Sequence, residues 1–116
     1  MNYALTGCGR ISFNHVAAAL ENKLNIVALC DVIPAHMEEK IQRFQLPDTV
    51  KQYTDYRQML KNEKLDLVAI ATESGKHAAI ALDCIEAGVN LIIEKPIALS
   101  LADADKIIAR AEEKGV

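Results

Sequence analysis

The sequence has no surplus of basic residues: 13 Lys and Arg stand against 16 Asp and Glu, a net charge of −3. A phosphate backbone or an anionic bilayer is neutralised by clustered cations, so nucleic acid and membrane are both poor partners for this chain. Long apolar runs are lacking as well. The longest, such as Leu67 to Ala71, fall far short of the roughly 20 residues that cross a bilayer. Met1 leads into a polar Asn2 without a basic segment and apolar signal core, which makes the cytoplasm the expected location. Cysteine is sparse: Cys8, Cys30 and Cys84 form an odd, widely spaced set with no C-x-x-C pair. Neither a disulfide framework nor a zinc site is suggested, and the three are expected to be small buried thiols. No metal site is expected among Asp103, Asp105, Glu112 and Glu113, which do not share one helical stripe and form a solvated face. Fixed-period repeats, low-complexity stretches and linkers are missing too. What remains, 51% hydrophobic and 25% charged residues in 116, is the composition of one globular domain with a packed core.

Short aliphatic runs alternate with longer segments whose apolar residues recur every three or four positions. Tyr3 to Thr6, Ile26 to Cys30, Leu67 to Ala71 and Leu91 to Ile93 are the predicted strands, with Lys51 to Tyr53 a short further strand at the sheet edge. These runs are nearly continuous in apolar residues, as in parallel strands covered on both faces. Helices are predicted over Arg10 to Leu20, Ala35 to Phe44 after Pro34, Asp55 to Asn62, Gly75 to Ala87 with a stop at Gly88, and from Ser100 to near Gly115. Ser100 and Asp103 take the places of a capping box. The order is βαβαβαβαβα. Right-handed crossovers then leave few topologies besides an α/β fold with an open, doubly wound parallel sheet in three αβα layers over residues 1–116.

The first strand runs into Gly7-Cys8-Gly9-Arg10-Ile11-Ser12, a G-x-G-x-x-small loop with serine in the third position. Gly7 permits the tight turn, and Gly9 removes a side chain where a pyrophosphate would approach. The amides of Arg10 and Ile11 face the phosphates from a helix N-terminus. A glycine pair alone also fits a mere tight turn. Asp31, however, ends the second strand 19 residues after Ser12, close to the spacing of about 20 expected of a ribose-binding acid. Its carboxylate suits ribose hydroxyls and repels a 2′-phosphate, and Val32 and Ile33 bring no cation. NAD is therefore expected over NADP.

Two further segments end at the carboxyl edge of the sheet, where open α/β folds bind ligands. One is Thr72-Glu73-Ser74-Gly75-Lys76-His77; the other is Glu94-Lys95-Pro96. Pro96 stops ladder pairing and leaves an ionic pair beside the crevice, although a surface pair with a strand stop has the same sequence. His77 sits in a first helical turn beside the crevice, where a structural role and a cofactor-edge role are both open. His15 is expected to pack or bond locally, and His36 to lie on the surface.

Taken together, the glycine loop with His15, Cys30-Asp31-Val32, Thr72 to His77, Ala87-Gly88 and Glu94-Lys95-Pro96 resemble the N-terminal half of the Gfo/Idh/MocA oxidoreductases, the glucose-fructose oxidoreductase and inositol dehydrogenase family. The resemblance covers essentially the whole chain. It implies a Rossmann domain that binds NAD(P), in which Gly7, Gly9, Arg10, Ile11, Asp31, Val32, Thr72, Ser74, His77, Glu94 and Lys95 contact the cofactor. It further implies that Lys95 is catalytic, beside nicotinamide and a sugar-like substrate, often with a cis peptide before the residue matching Pro96. Many members have Pro where this chain has Glu73. The family's second domain is absent, so the chain is expected to be part of a longer enzyme, inactive alone, that ends before the last strand. A stand-alone NAD-binding sensor module is the alternative, and homo-oligomerisation is left open.

Overall fold

A computed structural model describes residues 1–116. Five strands, β1 (Asn2–Thr6), β2 (Asn25–Cys30), β3 (Lys51–Tyr53), β4 (Leu67–Ile70) and β5 (Asn90–Ile93), form one sheet in the order β3-β2-β1-β4-β5. Every pairing is parallel. The connections are α1 (Ser12–Glu21), α2 (Pro34–Phe44), α3 (Tyr56–Asn62), a 3-10 turn (Ser74–Lys76) continuing into α4 (His77–Glu86), and α5 (Leu101–Lys114) after β5.

The central strands β1, β2 and β4 are buried on both faces because alternate side chains serve two separate cores, whereas the edge strand β5, expected to be covered likewise, leaves Ile92 exposed. Tyr3 and Leu5 of β1 point to a cluster with Val16 and Ala19 of α1 and Met37 of α2. Ala4, between them, joins the opposite cluster with Met59 of α3, Ile80, Ala81, Cys84 and Ile85 of α4, and Ile107 of α5. This alternation is the period-2 geometry of a strand, and it puts helices on both sides of the sheet. The doubly wound Rossmann fold expected from the sequence is the one observed.

Element ends differ from expectation where local bonding decides them. The helix expected from Gly75 begins as a 3-10 turn, closed by Lys76 N donating to Glu73 O at 3.0 Å, and becomes α-helical only at His77. The first helix starts two residues late, because the amides of Ser12 and Phe13 make i to i−3 bonds to Gly9 O and Arg10 O. At α5 only half of the capping box forms: Ser100 Oγ accepts from Asp103 N at 3.1 Å.

The strand order reverses between β1 and β4, the neighbours at the centre of the sheet. β2 and β3 are added to one side of that seam and β5 to the other. The two halves diverge at the carboxyl ends of β1 and β4, which opens a crevice there.

Candidate functional site

The turn out of β1 is held from below. Gly7 N donates to Cys30 O at 2.8 Å, which seats the loop on the end of β2. Gly7 itself has φ of 93°, and a Cβ there would stand 2.6 Å from backbone atoms of Ala71 and Thr72. Only glycine satisfies both constraints. Two residues on, a Cβ at Gly9 meets nothing within 4 Å, so that side of the loop is open space. Ser12 is fully buried and its hydroxyl donates to Gly9 O at 2.5 Å, which explains a small polar residue at the third loop position.

α1 begins without a side-chain cap. The amides of Gly9, Arg10 and Ile11 donate to no acceptor in the chain. Three unpaired amides at a helix N-terminus, where the helix dipole is positive, make a cradle for an anion. Arg10 is exposed beside them and forms no ion pair.

Asp31 follows β2 and faces the same loop. Its Oδ2 accepts from Cys8 N at 2.7 Å and its Oδ1 from Ile33 N at 2.8 Å, with His36 Nδ1 3.2 Å from Oδ2. Burial works to raise its pKa, but the Ile33 and Cys8 amides and the His36 ring outweigh that and hold the carboxyl below its ordinary value. It is thus an anion at neutral pH. A carboxylate has about four lone-pair sites, so acceptor capacity remains for a ligand hydroxyl. His36, expected on the bare surface, is half-buried and bonded to this acid because α2 begins immediately after the Asp31 turn.

These features line one groove of about 800 Å³ along the carboxyl edge. Gly7, Gly9, Arg10, Ile11, Asp31, Val32 and Thr72 are in its wall. So are His36 and the Asp55-Tyr56-Arg57 turn, which the sequence reading did not select. The signal for that turn was available, since it follows the edge strand β3 at the carboxyl side. Asp55 caps α3 by accepting from Arg57 N at 2.9 Å.

Ser74, His77, Glu94 and Lys95 are not in that wall. They belong to the far side of the seam. Glu94 Oε1 lies 2.7 Å from His15 Nε2, a hydrogen bond from β5's end to α1 that replaces the local bonding expected of His15. Lys95 is exposed and makes no hydrogen bond or ion pair within the chain, and the Lys95-Pro96 peptide is cis. His77 is 1% exposed and wedged between two loops, its ring nitrogens 2.8 Å from Pro96 O and 2.9 Å from Thr72 O. In this position the ring meets backbone from both segments. The thiols of Cys8, Cys30 and Cys84 are buried, and burial, with Asp31 adding to it at Cys8 and Cys30 and Asp83 at Cys84, pushes each up to about 12.

A sequence profile described as "Oxidoreductase family, NAD-binding Rossmann fold" matches residues 1–116, the entire chain. The chain belongs to this Gfo/Idh/MocA oxidoreductase family. It is 40% identical to D-apiose dehydrogenase of Paraburkholderia graminis over 97% of its own length and 30% of that protein's. Against inositol 2-dehydrogenase of Salmonella typhimurium it is 24% identical over 96% of its length and 33% of the relative's. Among solved structures it superposes with a TM-score of 0.89 on the WlbA dehydrogenase of Bordetella pertussis in complex with NADH and UDP-GlcNAcA, at 28% identity, covering 100% of this chain and 33% of that one. An Agrobacterium radiobacter oxidoreductase in complex with NAD+, L-tartaric acid and magnesium gives 0.91 at 27% identity, with 100% and 33% covered. The chain thus spans about a third of the length of the relatives it matches. No helix of the Gfo/Idh/MocA domain is long and apolar enough to cross a membrane.

The groove brings together groups that could hold a dinucleotide: the unpaired amides of Gly9, Arg10 and Ile11 could donate to a diphosphate, the open face of Gly9 leaves room against the backbone, and the Asp31 carboxylate could accept from sugar hydroxyls.

Proposed function

We propose that this domain serves an NAD-dependent dehydrogenase that moves a hydride between nicotinamide and the secondary-alcohol carbon of a sugar, cyclitol or sugar nucleotide. NAD supplies the hydride acceptor, and the residues of this chain bind, orient and polarise. Gly9, Arg10 and Ile11 hold the diphosphate by their amides, while Gly7 allows that loop to lie against β4. Asp31 accepts from the adenosine ribose and, as an anion, disfavours NADP. Val32 and Thr72 line the path between the two halves.

Lys95 is the catalytic residue of this proposal. Exposed just past the end of β5 and free of protein partners, its ammonium is available to donate to the substrate hydroxyl oxygen and acidify it, while a base in the remainder of the substrate site takes the proton as the hydride leaves for NAD. Glu94 beside it is fixed by His15, and Ser74 lies on the facing turn. The relatives support the substrate class: a D-apiose dehydrogenase and an inositol 2-dehydrogenase are similar in sequence, and a dehydrogenase crystallised with UDP-GlcNAcA is similar in fold.

The remainder of the substrate site is proposed to lie in further chain, since the relatives are about three times as long. β5 has no partner on its outer side, and Leu91, Ile93, Ile107, Ile108 and Val116 line an apolar groove of about 340 Å³ beside it. Further chain laid along that edge would cover a surface that is otherwise a liability in water.

The observation that carries the proposal is the juxtaposition of three unpaired amides and an anionic carboxylate in one groove. Calorimetric titration of the intact protein with NAD and NADP tests it, followed by absorbance assays of nicotinamide reduction across aldoses, cyclitols and nucleotide sugars. NAD is expected to bind more tightly than NADP. Absence of heat with both dinucleotides would overturn the assignment.

A further inference from the structure

We propose that His77 is a positioning residue: with its ring nitrogens against Thr72 O and Pro96 O, it spans the two carboxyl-edge loops and sets where Lys95 stands.

The segment 95–99, between β5 and α5, is almost without hydrogen bonds. Glu94 N still continues the ladder to Ile70 O at 2.9 Å, and the next backbone bond is Ala104 N to Ser100 O at 3.1 Å. Between them the single hydrogen bond of the chain is the one from His77 Nδ1 to Pro96 O, at 2.8 Å. The other nitrogen, 2.9 Å from Thr72 O, ties the same ring to the loop that follows β4. His77 is at the start of α4 and 1% exposed, so it is a rigid support, closed to water. Lys95 is the residue immediately before the pinned carbonyl's own residue, and it has no bond of its own.

Both partners of the ring are backbone carbonyl oxygens, so the tie does not depend on the identity of any side chain in either loop. The charged side chains on the surrounding segments are Glu73, Lys76, Glu94 and Lys95, and none of them hydrogen-bonds the ring.

The role assigned to Lys95 rests on the dehydrogenase function proposed above, while the tie between the two loops does not. The test therefore begins without cofactor or substrate, on the intact protein labelled with 15N in its backbone and histidine rings. A slowly exchanging ring N–H of His77 is expected, a signal that vanishes in His77→Gln. A ring whose protons all exchange freely would overturn the tie, and it is read in the unaltered protein even if the variant does not fold. In His77→Gln the backbone order parameters of 97–99 are expected to fall, and unchanged values would overturn the positioning role. In turnover, kcat is expected to drop about 10- to 100-fold, with the NAD Kd within about twofold. A folded variant with unchanged kcat in an active enzyme also overturns it. Absence of turnover in the unaltered protein counts against the dehydrogenase assignment, and ring-proton exchange and order parameters decide the role of His77 on their own.

Discussion

Gly7 and Gly9 share a loop and a residue type, yet the fold demands glycine only at Gly7 and the proposed diphosphate site only at Gly9, so alanine at each separates folding from binding. A methyl at Gly7 would meet the backbone of Ala71 and Thr72 at 2.6 Å, on a residue held at φ of 93°. The left-handed backbone costs about 1–2 kcal/mol for a residue with a Cβ, and forcing a methyl against a packed backbone costs about 1–3 kcal/mol more. A loss of about 2–5 kcal/mol is a large part of a domain's total of about 5–15 kcal/mol. A methyl at Gly9 touches nothing within 4 Å. Its effect on stability is expected to stay within about 1 kcal/mol and to be favourable if anything, since alanine restricts the unfolded chain. It does occupy the open face above the three unpaired amides. Urea unfolding followed by far-ultraviolet circular dichroism should show Gly7→Ala losing about 1–3 M in midpoint, and Gly9→Ala unchanged. Calorimetry should show Gly9→Ala binding NAD at least about tenfold more weakly, a difference of about 1.4 kcal/mol. If folded Gly9→Ala binds NAD as well as the unaltered protein, the diphosphate does not lie over this loop. If Gly7→Ala retains full stability, the close approach to β4 is not a constraint.

Three further outcomes are expected. Asp31→Asn should weaken NAD binding and narrow its advantage over NADP, as read by paired titrations. Because the folded carboxyl titrates below its ordinary value, the stability it contributes is complete above the unfolded value of about 3.9 and is lost as the pH falls through the lower folded one. The stability gap between the protein and Asp31→Asn should therefore be constant near neutral pH and close on acidification, and urea unfolding at a series of acidic pH values checks it. Lys95→Ala should lower kcat of the intact enzyme by about 10²- to 10⁴-fold with little change in NAD affinity; unimpaired hydride transfer would remove Lys95 from the mechanism. The three buried thiols, each pushed up to about 12, should resist a thiol reagent in the native state and all react in denaturant.

How much of this was legible in the sequence depends on the range of the contacts involved. The strands, the order of elements and the glycine loop are written in local pattern: an apolar run, a turn residue, a second glycine two positions on. Even the three-residue edge strand β3 follows from Lys51 to Tyr53. Asp31 was legible because its distance from the loop along the chain fixes where β2 ends. Contacts between residues far apart in sequence were not. His15 meets Glu94 across 79 positions, and no feature of α1 announces a partner at the end of β5. His36 lies only five positions from Asp31, but its role depends on how α2 leaves the turn, which its apolar pattern does not encode. His77 was placed correctly at the start of a helix beside the crevice, and the sequence left its role open because its two partners are backbone carbonyls, which carry no residue identity to read.

The two ends of the crevice are held in different ways. At the glycine-loop end backbone amides make the contacts: Gly7 N donates to Cys30 O and Cys8 N to the Asp31 carboxylate, just where β2 ends. The end that holds Lys95 is assembled by side chains reaching across the sheet, His15 to Glu94 and His77 to Pro96, because segment 95–99 has no ladder or helix of its own to define it. A change at the glycine loop should therefore appear in dinucleotide affinity. A change at either histidine should appear in the chemical step, at a residue that neither histidine touches.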